Sequence, residues 1–130
     1  MIKSLHSSSR PPVSLDHIKR LSDQTGMYQH ALSAIPDRNH GYCTDDNARA
    51  VIAMSWYSAL ESDPEALKLF NIYLSFILHA RKKNGEVRNF MNFDRTWIKD
   101  EPVHDALGRL LWALGTVLAE SPGKESSAVI

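Results

Sequence analysis

The stretch that most limits the fold is Pro64 to Lys83, which carries Leu67, Leu69, Phe70, Ile72, Tyr73, Leu74, Phe76, Ile77 and Leu78. Asp63-Pro64-Glu65 opens it with a capping carboxylate, a proline at the first helical position and an acid in the first turn. The spacing predicts a helix that is apolar nearly all round, and such a helix should be buried on several sides. Four short helices cannot supply that cover, so the pattern asks for a larger helical array.

Three other helices are expected. The first begins at Ser14, carries Leu15, Ile18 and Leu21 on one stripe, and ends at Gly26. The second runs from Thr44, read as its N-cap, to about Ser62, with Asp45 and Asp46 in a first turn that favours carboxylates. The last starts near His104, after Pro102, and runs to about Glu120. Its Gly108 and Gly115 lie seven apart on one face, which would let a neighbouring helix approach closely. Between these, Gln29-His30-Ala31 is either a short strand or an irregular crossing, and Pro36 to Tyr42 is loop. Asn84-Gly85 turns the chain out of the third helix. Glu86 to Asp100 fits no period of 2 or 3.6 residues and reads as a structured loop or short hairpin, of a length that is more often functional than not. Residues 1–12 read as a flexible tail, 13–120 as one domain and 121–130 as a frayed tail.

The segment Asp45-Asp46-Asn47-Ala48-Arg49-Ala50 is echoed by Asp105-Ala106-Leu107-Gly108-Arg109-Leu110, an offset of 60 residues. Each has Asp and Arg at i and i+4, where they share a helix face and can pair. A repeat of this length has room for an outgoing helix, a return helix and two loops, as in helical-hairpin arrays. The expected fold class is therefore all-α, its helical hairpins forming part of an α/α toroid or solenoid rather than a four-helix bundle.

Charge narrows the partners. Lys+Arg and Asp+Glu are both 15, so no net basic field draws nucleic acid or an anionic membrane. The single Cys43 excludes an internal disulfide and a cysteine-rich zinc module. Residues 1–12 lack the apolar core of a signal peptide, and no apolar run is unbroken enough for a membrane span. The expected location is cytoplasmic.

Chemistry concentrates where the second helix begins. Arg38, His40, Tyr42, Cys43, Asp45, Asp46 and Asn47 crowd one helix mouth, more polar groups than capping needs. An up-down hairpin returns the chain to the end where it began. The loop Arg88 to Trp97 should therefore lie beside this mouth, bringing Asn89, Asn92, Asp94 and Trp97 to one rim that His104 and Asp105 flank. In the carbohydrate context that the family resemblance set out below implies, sugar recognition wants bidentate polar side chains, which Asp45, Asp46, Asn47, Arg38, Asn89, Asn92 and Asp94 could supply, and an aromatic face, which Tyr42, Phe93 and Trp97 could supply. Glycoside hydrolysis wants two carboxyl groups about 5 to 9.5 Å apart. Asp45 and Asp46 point roughly 100° apart around a helix, so Asp94 facing Asp46 is the better pair. The candidate catalytic residues are Asp46, Asp94 and Asp45; the candidate substrate contacts are Arg38, His40, Tyr42, Asn47, Asn89, Asn92, Trp97 and His104. Arg49 and Arg109 are expected to pair with the aspartates of the repeat. Rival chemistries fit less well: His104-Asp105 lacks the later Asp of a metal-dependent phosphohydrolase, His40 with Cys43 lacks an oxyanion feature, and there is no glycine-rich phosphate loop. No metal or cofactor is expected.

Asp23-Gln24-Thr25-Gly26-Met27-Tyr28-Gln29-His30-Ala31 and Ile35-Pro36-Asp37-Arg38-Asn39-His40-Gly41-Tyr42-Cys43-Thr44-Asp45-Asp46-Asn47-Ala48-Arg49-Ala50 resemble a bacterial family of six-hairpin-glycosidase-like domains found attached to, or beside, glycosyltransferases. Asn89-Phe90-Met91-Asn92-Phe93-Asp94-Arg95-Thr96-Trp97 and Gly108-Arg109-Leu110-Leu111-Trp112-Ala113-Leu114-Gly115 continue the resemblance in the same order. It covers roughly Leu15 to Leu118 and implies an (α/α)₆-type toroid in a carbohydrate context. The chain differs from the family in carrying Val103-His104-Asp105-Ala106-Leu107 where an acidic-Ser-His lead is usual, and in having room for about two of six hairpins. The resemblance implies a carbohydrate-active or carbohydrate-binding domain associated with glycosyl transfer, incomplete and with little or no activity alone. The alternative is a non-catalytic helical module that docks on a glycosyltransferase or associates with itself.

Overall fold

The computed structural model describes residues 11–99, 104–120 and 128–130, with the backbone alone at 104. The tail expected over 1–12 and the one over 121–130 lie largely outside the described residues. Within them the elements run α1 (Asp16–Arg20), β1 (Ala31–Leu32), β2 (Ile35–Pro36), β3 (Tyr42–Cys43), α2 (Thr44–Leu60), α3 (Pro64–Ala80), β4 (Phe90–Met91) and α4 (His104–Glu120).

The fold is mixed, not all-α. Two small antiparallel sheets accompany the helices: β1 pairs with β2, and β3 pairs with β4 across the whole α2–α3 hairpin. Each strand has two residues, too short for any alternation to register in the sequence. Isolated bridges extend the second sheet, so that Tyr28, Tyr42, Met91 and Trp97 lie side by side on four antiparallel segments. The chain between α1 and α2 is an ordered crossing, and Glu86 to Lys99 contains hairpin pairing.

The helices also depart from expectation in detail. Cys43, not Thr44, is the N-cap of α2: its Sγ accepts from the Asp46 N–H at 3.4 Å. Thr44 is already helical, and its hydroxyl donates to the Arg88 carbonyl at 2.6 Å. Asp63 caps α3 as expected, accepting from the Glu65 N–H at 2.9 Å. The helix that packs against two others is α2, which lies on α3 and on α4. Its small buried residues Ala48, Ala50 and Ser55 allow that double contact, with Val51, Ile52 and Met54 filling between. Helix α3 buries Leu69, Phe70, Tyr73, Leu74, Phe76 and Ile77, but it is not covered all round. Lys68, Asn71, Ser75 and His79 form an exposed stripe at spacings of three and four residues, hidden in the sequence by the many apolar neighbours. Helix α1 is barely more than a turn; Ser22, just beyond it, shares a 2.7 Å hydrogen bond with the Tyr73 hydroxyl and so fastens this segment to α3.

Helix α4 buries Ala106, Leu110, Ala113 and Val117 and exposes Leu107, Leu111 and Leu118. A Cβ added at Gly108 or Gly115 would meet nothing within 4 Å, so no neighbouring helix approaches those glycines among the described residues. No helix there is long and apolar enough to cross a membrane. Ile130 packs partly buried against the core.

Candidate functional site

The pairing of Tyr42–Cys43 with Phe90–Met91 sets the mouth of α2 against the loop that follows α3. Gly41 makes this possible. It holds φ +63°, and a Cβ there would stand 2.1 Å from the Met91 carbonyl oxygen, so only glycine lets the two backbones close. Asn89 then completes the helix start. Its carbonyl accepts from the Thr44 N–H at 2.8 Å and its Oδ1 from the Asp45 N–H at 3.3 Å. With the Asp46 N–H on Cys43, three N–H groups of the first turn are satisfied from within the protein, and no anion is needed there.

The two carboxylates of that turn are held by guanidinium groups. Arg49 pairs with Asp46 and lies 3.1 Å from Asp45 Oδ2. Arg109 reaches from α4 to place Nε 3.0 Å from Asp45 Oδ1, so both arginines pair with an aspartate of the repeat as expected, Arg109 doing so across helices. That contact ties the first turn of α2 to the second turn of α4. Asp46 also accepts from Cys43 Sγ at 2.9 Å, and burial together with this bond pushes the thiol up to about 12. Cys43 is thus a buried neutral thiol, not a nucleophile.

Three of the expected substrate contacts lie inside: Asn89, already spent on the start of α2, and Asn47 and Tyr42. Asn47 is fully buried: its Oδ1 accepts from the Met27 N–H at 2.9 Å and its Nδ2 donates to the Cys43 carbonyl at 2.9 Å. Tyr42 is 1% exposed and donates to Asp23 Oδ2 at 2.6 Å. Both hold the crossing to α2, and neither presents an edge or a ring face to solvent. The group on which Tyr42 depends is Asp23, which was not among the expected site residues. It accepts from the Tyr28 and Tyr42 hydroxyls on one oxygen and from the Thr25 and Gly26 N–H groups on the other. Burial pushes its carboxyl up, but the Tyr42 hydroxyl, the backbone N–H of Thr25 and the Tyr28 hydroxyl outweigh that and leave it below the usual range. The signal was present: Asp23-Gln24-Thr25-Gly26 is an aspartate followed by a turn to glycine, the pattern in which a carboxylate bonds its own backbone.

The remaining residues stand at the surface in two adjoining turns. Arg38 lies over Phe93, its guanidinium carbon 5.5 Å from the ring centroid, and Phe93 stacks on Tyr28, which stacks on Tyr42. His40 is exposed, edge-on to His30 with ring centroids 4.4 Å apart, and Nε2 is 3.5 Å from Asp37. Asn92 donates to Thr96 Oγ1 at 3.1 Å, and Asp94 accepts from the Thr96 hydroxyl at 2.6 Å and N–H at 3.0 Å. Those bonds pull the Asp94 carboxyl below its ordinary value, hydroxyl first. Trp97 is half-buried on the other flank, against Phe76 and His79 with Arg88 over its ring. The His104 side chain lies outside the described residues. Among those described, no group of three or more His, Cys, Asp or Glu is placed to hold a metal ion. The structure therefore brings the two loops together, but divides the expected residues into a buried brace, a paired acidic turn and an exposed rim. No protein-family model matches the chain, and no curated protein matches it.

Proposed function

We propose that the chain is a carbohydrate-binding domain whose site is the rim formed by Arg38, His40, Asn92, Phe93 and Asp94. The observation that carries the reading is Arg38 over Phe93, which joins the turn before α2 to the turn after β4 and leaves Phe93 46% exposed. Phe93 under the Arg38 guanidinium, with an amide and a carboxylate in its own turn and an imidazole in that of Arg38, supplies the mixed apolar and bidentate polar contacts that a sugar ring takes. Sequence resemblance to glycosidase-like domains supports the same ligand class. Binding is favoured over hydrolysis because a glycosidase needs a carboxylic acid that keeps its proton. Asp94 is held below the usual range, and Asp45 and Asp46 are tied to Arg49 and Arg109. The test is a panel of neutral oligosaccharides titrated against the ¹⁵N-labelled chain. Amide shifts confined to residues 38–41 and 92–96, abolished by Asn92→Ala with melting unchanged, are expected. Sugar release by the wild type, or shifts that vanish on Asp46→Ala alone, would refute the binding-only reading.

The exposed leucines of α4 favour a second reading, a helical module that docks on a glycosyltransferase. In that case Leu111→Glu abolishes a protein complex and Asn92→Ala does nothing.

A further inference from the structure

The exposed stripe of α3 is the floor of a groove that the rim does not use. At its start the groove is bounded by Leu67, Lys68, Asn71 and Gln24. It continues past Gln24 and Ser75 into a depression of about 280 Å³, floored by Phe76 and Met91 and walled by Arg95. Beyond His79 it opens between Arg81, Lys83 and Arg88. The track follows α3 from Pro64 to Ala80, about 25 Å at the rise of a helix.

Its charge is one-sided. Lys68, Arg81, Lys82, Lys83, Arg88 and Arg95 face a single lining carboxylate, Glu86, which Lys82 already engages at 2.8 Å. Among the described residues Lys68, Arg81, Lys83 and Arg95 form no ion pair. In a chain with equal numbers of acidic and basic residues, such a run of uncompensated cations is a local excess. The C-terminal dipole of α3 accounts for cations at Arg81 and Lys82. It does not account for Lys68, in the second turn of α3 and far from the helix's C-terminal end. Nor does it account for Arg95, which comes from a separate loop and holds φ 70°, a left-handed backbone that arginine rarely adopts. Between the cations stand neutral hydrogen-bonding groups, Gln24, Asn71 and Ser75, all exposed.

We infer that this groove binds an acidic linear oligosaccharide, whose anionic groups meet Lys68, Arg95 and the Arg81–Arg88 cations in turn while its hydroxyls meet Gln24, Asn71 and Ser75. The choice of a sugar backbone rests on the function proposed above; the demand for repeated negative charge rests on the groove alone. Single-stranded nucleic acid would want a series of aromatic stacking platforms. Here the one nearby indole, Trp97, is occupied by Phe76 and His79.

The test is calorimetric titration of the full chain with tetragalacturonate at low and at physiological salt. Saturable binding that weakens several-fold as salt rises is expected, together with none for the fully methyl-esterified tetramer, which keeps the sugar skeleton and removes the charge. Lys68→Gln and Arg95→Gln, both at exposed positions, should each weaken binding about fivefold, close to 1 kcal/mol. Arg20→Gln, an exposed cation that does not line the groove, should leave it unchanged. Equal binding of the methyl ester, or wild-type affinity in both groove variants, would overturn the inference. So would tighter binding of a deoxythymidine decamer than of tetragalacturonate at the same salt. The neutral panel reads the rim and the acidic tetramer reads the groove, so failure of either is recognised separately.

Discussion

Replacing Asp23 by alanine should be among the most damaging changes to this fold, although Asp23 lies in no helix or strand. The carboxylate accepts from the Tyr42 hydroxyl at 2.6 Å, the Tyr28 hydroxyl at 2.8 Å, and the N–H groups of Thr25 at 2.7 Å and Gly26 at 3.3 Å. Hydrogen bonds to a charged group contribute about 1.5–3 kcal/mol each, and a buried donor left unpaired costs about 1–3 kcal/mol. Tyr42 and Tyr28 are both buried, so their hydroxyls cannot turn to water without repacking. The loss for Asp23→Ala is expected at about 3–5 kcal/mol, since the bonds are shared and not additive. Urea unfolding at neutral pH measures it, and a double-mutant cycle with Tyr42→Phe tests its origin. Alone, Tyr42→Phe should cost about 1–2 kcal/mol. In the Asp23→Ala background it should cost nothing or stabilise slightly, because the hydroxyl it removes is already orphaned. Additivity of the two changes would refute the reasoning. The pH dependence has a definite sign. The folded pKa of Asp23 lies below the unfolded value of about 3.9, so its contribution is present above that pH and lost as pH falls through the folded value. The stability gap between wild type and Asp23→Asn should therefore narrow in acid below about pH 4.

Two further outcomes follow from close packing and burial. Gly41→Ala should destabilise by about 2 kcal/mol or more in thermal or urea melts, because it combines a left-handed φ with a backbone carbonyl 2.1 Å from the new Cβ; Gly26→Ala, whose Cβ would meet Asn47 Oδ1 at 2.7 Å, should cost less, since a side chain can shift. Cys43 should resist iodoacetamide at pH 8 in the native protein and react readily in denaturant, because the thiol is 4% exposed and its pKa is pushed up to about 12; rapid native labelling would contradict its placement.

What the sequence determined was local, and it was legible because local chemistry sufficed. Asp63-Pro64 starts α3 and Asn84-Gly85 lies in the turn beyond it, since capping and left-handed backbone are properties of adjacent residues. The 60-residue echo anticipated that α2 and α4 are matched, and both are 17-residue helices that begin 60 residues apart. The return of the loop after α3 to the mouth of α2 followed from the connectivity of a hairpin, and the β3–β4 pairing has that form. What the sequence could not supply depended on contacts between distant segments. Two-residue strands carry no period, so the sequence admits a short strand at Gln29-His30-Ala31 and a hairpin within Glu86 to Asp100 only as alternatives and cannot show the pairings that make this fold mixed. Asn47 and Tyr42 read as site residues because polar groups near a helix mouth look alike whether they face solvent or a buried carboxylate; only the fold put Asp23 beneath one and Met27 beside the other. The same holds for α3. Its apolar residues predict a helix buried on several sides, but which stripe meets the core is decided by where α2 lies, and that choice left Lys68, Asn71, Ser75 and His79 facing outward.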